Sequence, residues 1–285
     1  LQGLSNLSWE KGETTFAGAA VACFQFLGEA VTYDYVMGVS GGAFKLLWFP
    51  SWCPSNNDLL VLGEEPVRRT FHALGRGYRY LPRQEGANSA TTFDKAVKQS
   101  IARGRPVIAM GVMGPESAVI AGFEKQGREW LGRSYFVDAS QSYHRVTDWP
   151  DHCSGVITIG DETSRPALGE LLRESLTWAL NLAHTREREG RVCGLAAYDA
   201  WAEALRRDED FPAGDLDILT FRCNVHRSVT LSGLWDARRA AAAFLRQMAP
   251  HEASENLLQA ANCYEQEVAI LEPAMELSPH CTAPE

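Results

Sequence analysis

The hydrophobic pattern changes character part-way along the chain. From Thr14 to Leu27 the residues are apolar almost all round, with Phe16, Ala17, Ala19, Ala20, Val21, Cys23, Phe24, Phe26 and Leu27. A helix of that kind is buried on every side rather than along one stripe. Thr14 and Thr15 are capping residues at its start, and Gly28 stops it. Ala43 to Phe49 reads as a strand, Pro66 to Leu74 as a short helix and Tyr78 to Leu81 as a small strand. Thr91 to Ala102 reads as a helix with a Thr91–Asp94 capping box. Three apolar runs follow closely: Pro106 to Met110, Ala118 to Phe123 and Glu129 to Phe136. Lys125-Gln126-Gly127 joins the last two as a hairpin turn, and Val156 to Ile159 is a further strand. Strands arriving in hairpins after early helices predict an antiparallel sheet rather than a doubly wound one.

Beyond Pro166 the period becomes helical. Leu168, Leu172, Leu176, Ala179 and Ala183 share one face; Tyr198, Trp201, Ala202 and Leu205 share a second. Leu234, Ala237, Ala241, Phe244 and Met248 mark a third helix, and Leu257, Ala261, Tyr264, Val268 and Leu271 a fourth. Such spacings make the amphipathic helices of a bundle. Pro250 and Pro273 are expected to punctuate helix ends. The fold class expected is therefore α+β: an α+β domain over residues 1–160, a helical domain over 161–275 and a frayed tail over 276–285.

Composition narrows the functions. With 45% hydrophobic and 22% charged residues the chain is an ordinary globular one. The net charge of -9 and scattered basic residues argue against nucleic acid. No apolar run approaches the roughly 20 residues of a membrane helix. The first residues lack a basic region and an apolar core, so no secretory signal is expected and the location expected is cytoplasmic. Seven cysteines, an odd number with no CxxC, read as reduced thiols. No metal is expected, since His144, His152 and Cys153 form the one local cluster. No cofactor is expected either, because no Walker A loop, GxGxxG or HExxH occurs.

Several places carry candidate chemistry. Gly38-Val39-Ser40-Gly41-Gly42 fits G-x-S-x-G, which presents a nucleophilic serine only between a strand and a helix; the plainer reading is a glycine turn. The start of the first helix points free N–H groups and a positive dipole end at whatever lies there, so Thr14 and Thr15 are binding candidates suited to a carboxylate or another anion, or plain caps. Glu116, at a strand entrance after Gly111 and Gly114, faces a cleft or is a surface acid. In the helical half, Tyr198, Trp201, His226, Arg227 and Arg238 are either core or binding residues.

The segments Thr15 to Gly28, Tyr35 to Phe44, Arg105 to Met110, Ser117 to Phe123 and Trp130 to Phe136 carry a resemblance. Over residues 8 to 140 the chain resembles the papain-like fold of bacteriocin-processing cysteine peptidases, and is similar to the N-terminal domain of the butirosin biosynthesis protein H family. The resemblance implies a nucleophilic Cys at the start of the first helix, a His before a Gly-aromatic hairpin and an Asp or Asn on the next strand. Those positions fall on Thr15, near Glu116 and near Ser134. All three depart from the family pattern, and no oxyanion Gln precedes Thr15. The resemblance thus implies the fold and a cleft without the cysteine mechanism.

Three readings follow. The first is a non-catalytic papain-like protein that binds a small molecule or peptide, its helical half forming a wall, lid or homodimer contact. The second is an acyl or amide transferase or hydrolase using Thr15 or Ser40 with Glu116. The third is a partner-binding module built on the helical half.

Overall fold

The computed structural model describes residues 1–54, 58–85, 88–137, 143–252 and 254–278. Its N-terminal part begins with α1 (Thr15–Phe26), α2 (Tyr33–Ser40) and a two-residue strand β1 (Leu47–Trp48). Then come α3 (Glu65–Ala73), β2 (Arg76–Pro82), α4 (Ser89–Ala102), β3 (Val107–Met110), β4 (Ser117–Glu124), β5 (Glu129–Arg133) and β6 (His144–Val146). The one-turn α5 (Trp149–His152) leads to β7 (Gly155–Glu162). Beyond it lie α6 (Leu168–His184), the short strands β8 (Glu187–Arg188) and β9 (Arg191–Cys193), α7 (Leu195–Leu205), α8 (Leu216–Asn224), α9 (Ser232–Glu252) and α10 (Glu255–Leu277). The α+β class is as expected, with antiparallel sheet in the N-terminal half and helices dominating the C-terminal part.

The chain forms two compact units, and neither is a simple stretch of sequence. The first comprises 1–36 and 62–166, the second 37–61 and 167–285. The linear division at residue 160 therefore moves to 166, and it misses a segment from the N-terminal half that belongs to the second unit.

In the first unit six strands run in the order β2-β7-β3-β4-β5-β6, every neighbouring pair antiparallel. Central strands β3 and β4 read as unbroken apolar runs because both faces are covered. Val107, Ala109, Ala118 and Ile120 join Phe93, Val97, Trp130 and Trp149 in one core on the α4 side. Strand alternation turns Ile108, Val119 and Ala121 to the other face, also buried, where α1 packs on β3 and β4. Trp130 and Trp149 stack with ring centroids 3.8 Å apart. The cap of α4 is Asn88, whose Oδ1 accepts from the Thr91 N–H at 3.2 Å, in place of the expected Thr91–Asp94 box. Asp94 instead pairs with Lys98 at 2.6 Å. At the rim, Glu29 bonds Arg76 at 3.0 Å and Arg165 at 2.5 Å, and these guanidinium groups hold its carboxyl below the ordinary value.

In the second unit β1 pairs with β9, placing Leu47 opposite Cys193 and Trp48 opposite Val192. The expected strand from Ala43 to Phe49 shrinks to Leu47–Trp48 because Gly42–Phe44 winds into a 3-10 turn. Trp48, Trp52, Trp201, Leu234 and Leu271 share one core. The expected faces hold well on α9, where Leu234, Ala237, Ala241, Phe244 and Met248 are all buried. On α6 the buried set is Leu171, Leu172, Ser175 and Leu182, which shares Leu172 with the expected face, while Leu168, Leu176, Ala179 and Ala183 are half-buried. Pro250 and Pro273 lie inside α9 and α10 rather than at their ends. Between α8 and α9 the backbone forms a π-helical segment, Val225–Leu231, which the pattern did not indicate.

Arg238 is the polar hub of this unit. It is 4% exposed and donates to Tyr198 Oη at 2.7 Å, to the Ala43 carbonyl at 2.9 Å, to the Lys45 carbonyl at 3.3 Å and to Glu267 at 3.1 Å. Tyr198, Arg238 and, by its ring contact at 5.4 Å, the His226–Trp201 pair are structural neighbours rather than members of an open cleft. Burial lowers the His226 pKa below the ordinary value, with the Arg227 charge adding to the effect.

Candidate functional site

The first unit brings together residues from opposite ends of its sequence. Thr15, the first residue of α1, is 2% exposed, and its Oγ1 donates to Glu116 Oε2 at 2.7 Å. The same oxygen accepts the Ser117 N–H at 3.3 Å. One hydroxyl thus clamps the start of α1 to the start of β4. Thr14 makes no side-chain cap bond; its N–H donates to Tyr33 Oη at 2.9 Å.

The loop between β3 and β4 is shaped to present Glu116. The Gly111 N–H bonds the Glu116 carbonyl at 3.0 Å and closes the loop. Gly111 has φ +72°, and a β-carbon there falls 2.7 Å from the His152 carbonyl oxygen, so both conformation and space call for glycine. Ser134 braces the loop from the side, donating to the Met113 carbonyl at 2.5 Å and accepting the Phe136 N–H at 3.2 Å. Ser134 therefore supports the loop that carries Glu116, while Thr15 and Glu116 touch directly.

Three aromatic residues that are not among the expected site residues pack together, against the loop that carries Glu116 and against α1. Trp9 lies 4.7 Å from Tyr135 and 5.3 Å from Phe136, ring centroid to centroid. Trp9 and Phe136 are each 42% exposed, so this cluster presents apolar surface to solvent. Phe136 packs over Gly114, two residues before Glu116, and Tyr135 Oη packs over Gly18, one turn into α1. The signal in the sequence was two adjacent aromatics after the third hairpin strand and a lone Trp in a polar N-terminal segment.

A cavity of about 380 Å³ opens on the flank of α1, lined by Lys11, Gly18, Val21, Ala22 and Tyr135 among others, and by neither Thr15 nor Glu116.

The remaining candidates take other roles. Ser40 sits in the last turn of α2 and is fully buried, donating to the Met37 carbonyl and accepting the Gly42 N–H, each at 3.3 Å. A serine on a helix, with no strand before it, is no nucleophile elbow. Gly38 serves packing, since a β-carbon there falls 2.2 Å from the Phe244 ring. Cys23 is fully buried, and burial pushes its thiol well up, which removes it as a thiolate nucleophile. Among the described residues no group of three or more His, Cys, Asp or Glu side chains is arranged to hold a metal, and no helix is long and apolar enough to cross a membrane.

Compared with protein-family models and with curated protein sequences, the chain matches none.

Proposed function

We propose that the protein is a non-catalytic, papain-like binding protein whose ligand, a small molecule or peptide, docks at the N-terminus of α1. The observation that carries this reading is the 2.7 Å bond between Thr15 and Glu116. These are the two positions at which the family resemblance puts nucleophile and base. Catalysis is disfavoured by how the hydroxyl is used: it donates to one partner, accepts from another and is 2% exposed. The charge of the ligand follows from Glu116. A carboxylate already stands at the first residue of the helix, so the anion suggested by the helix dipole alone gives way to an amine. Trp9 and Phe136 add a cation-binding aromatic surface.

Aromatic amines such as tryptamine and phenylalanine amide are the probes. Titrated into the labelled protein, they should shift the amides of Thr15, Ser117 and Phe136. Glu116→Gln should weaken binding about tenfold, the worth of one charge-assisted hydrogen bond. Amides at these three residues that stay fixed throughout would sink the reading.

A second reading, an acyl or amide transferase or hydrolase, is favoured by the same bond, because a hydroxyl held on a carboxylate is a nucleophile–base relationship. Turnover of activated esters and acyl thioesters that is lost in Thr15→Ala supports it; turnover that survives Thr15→Ala eliminates Thr15.

A further inference from the structure

We propose that the cavity on the flank of α1 binds an aliphatic carboxylate of medium chain length. The cavity, about 380 Å³, has the small and apolar positions Leu7, Gly18, Val21 and Ala22 in its lining, beside polar side chains such as Thr32 and Tyr33. That volume lies in the range of small-molecule sites. Among the described residues Lys11 is the one charged side chain in the lining, and no carboxylate accompanies it. In a chain of net charge -9 this local imbalance is specific. The Lys11 ammonium donates to the Asn6 carbonyl at 3.2 Å, and an ammonium carries two further hydrogens to donate.

The shape selects the rest of the ligand. Helical rise sets the distance from Gly18 to Gln25 at about 10 Å, the reach of an extended octanoate chain. Gln25, also in the lining, donates one amide hydrogen to the Val31 carbonyl at 2.9 Å. A cationic head meets the Lys11 charge. An anionic head with an apolar tail matches Lys11 and the apolar part of the lining. Neither Thr15 nor Glu116 lines the cavity, so this inference stands apart from the amine-binding reading.

Calorimetric titration of the full chain with hexanoate, octanoate, octylamine and octanol tests it. Octanoate should bind saturably, with affinity rising about fourfold per methylene from hexanoate. Lys11→Met should weaken octanoate about fivefold, the upper worth of an exposed ion pair, and leave octanol unchanged. Val21→Phe, at a half-buried position, should fill the cavity and abolish binding of both while circular dichroism stays that of the parent protein. Thr15→Val should bind octanoate as the parent does. The proposal is overturned by absent or unsaturable octanoate binding, by octylamine binding as tightly as octanoate, by a correctly folded Val21→Phe protein that still binds, or by loss of octanoate binding in Thr15→Val.

Discussion

The Thr15 hydroxyl and the Glu116 carboxylate, separated by 101 residues in sequence, meet at 2.7 Å. Thr15→Val keeps the shape and removes both hydrogen bonds, leaving the buried Ser117 N–H without its acceptor. The expected loss is about 1–2 kcal/mol in urea unfolding, with faster amide exchange at Ser117. Thr15→Ser should restore most of both.

Gly18 and Tyr135 form a second interlocked pair. A β-carbon at Gly18 falls 1.7 Å from Tyr135 Oη, and the tyrosine ring is held in place by Trp9. Gly18→Ala should cost about 1–3 kcal/mol through overpacking. In the double variant with Tyr135→Leu part of that loss should be recovered, a coupling visible in a double-mutant cycle.

Arg238 tests the second unit. Arg238→Met strips donors from the Ala43 and Lys45 carbonyls and a partner from Glu267. The expected loss is about 3 kcal/mol, as for one member of a buried pair. Arg238→Lys should recover little, because a single ammonium does not match four separate acceptors in fork geometry. Tryptophan fluorescence reports on this unit through Trp48, Trp52 and Trp201.

Glu29 supplies a pH dependence. Its folded carboxyl lies below the ordinary value because Arg165 and Arg76 bond to it. Such a group contributes stability that is fully present above the unfolded pKa, about 4.3, and is lost as pH falls through the folded value. Glu29→Gln should therefore be less stable at pH 7, by about 1 kcal/mol for a partly exposed pair. The difference should close progressively in thermal unfolding below about pH 4. A gap unchanged down to the acid limit would remove Glu29 as its source.

What the sequence made legible had a physical signature that local pattern carries. All-round apolarity marked α1, and continuous runs of Val, Ile and Ala marked β3 and β4, because burial on both sides leaves no polar positions. The pairing of Thr15 with Glu116 came through the family resemblance, whose nucleophile and base positions fall on and near these residues. Other features left no periodic trace. In α2, glycines that suit a turn are there for close packing, as Gly38 against Phe244 shows. Helix α8 buries none of its residues, so no stripe announced it. The aromatic surface at Trp9 and Phe136 depends on half-exposed side chains meeting across the fold, which neither period nor composition encodes.

The segment 37–61 has a consequence for how the protein is made. It carries Trp48, Trp52 and Leu59, all buried within the second unit, yet the rest of that unit begins only at Ala167. At ordinary rates of translation these side chains wait on the order of ten seconds for their partners to leave the ribosome. During that interval a tryptophan-rich, unpaired stretch is displayed to solvent and to chaperones. For the same reason a fragment starting at residue 165 is born without Leu47 and Trp48 to pair with β9, and without the two carbonyls that Arg238 grips. A partner captured by such a fragment would be recognising an incomplete core, and only the entire chain can tell binding from rescue.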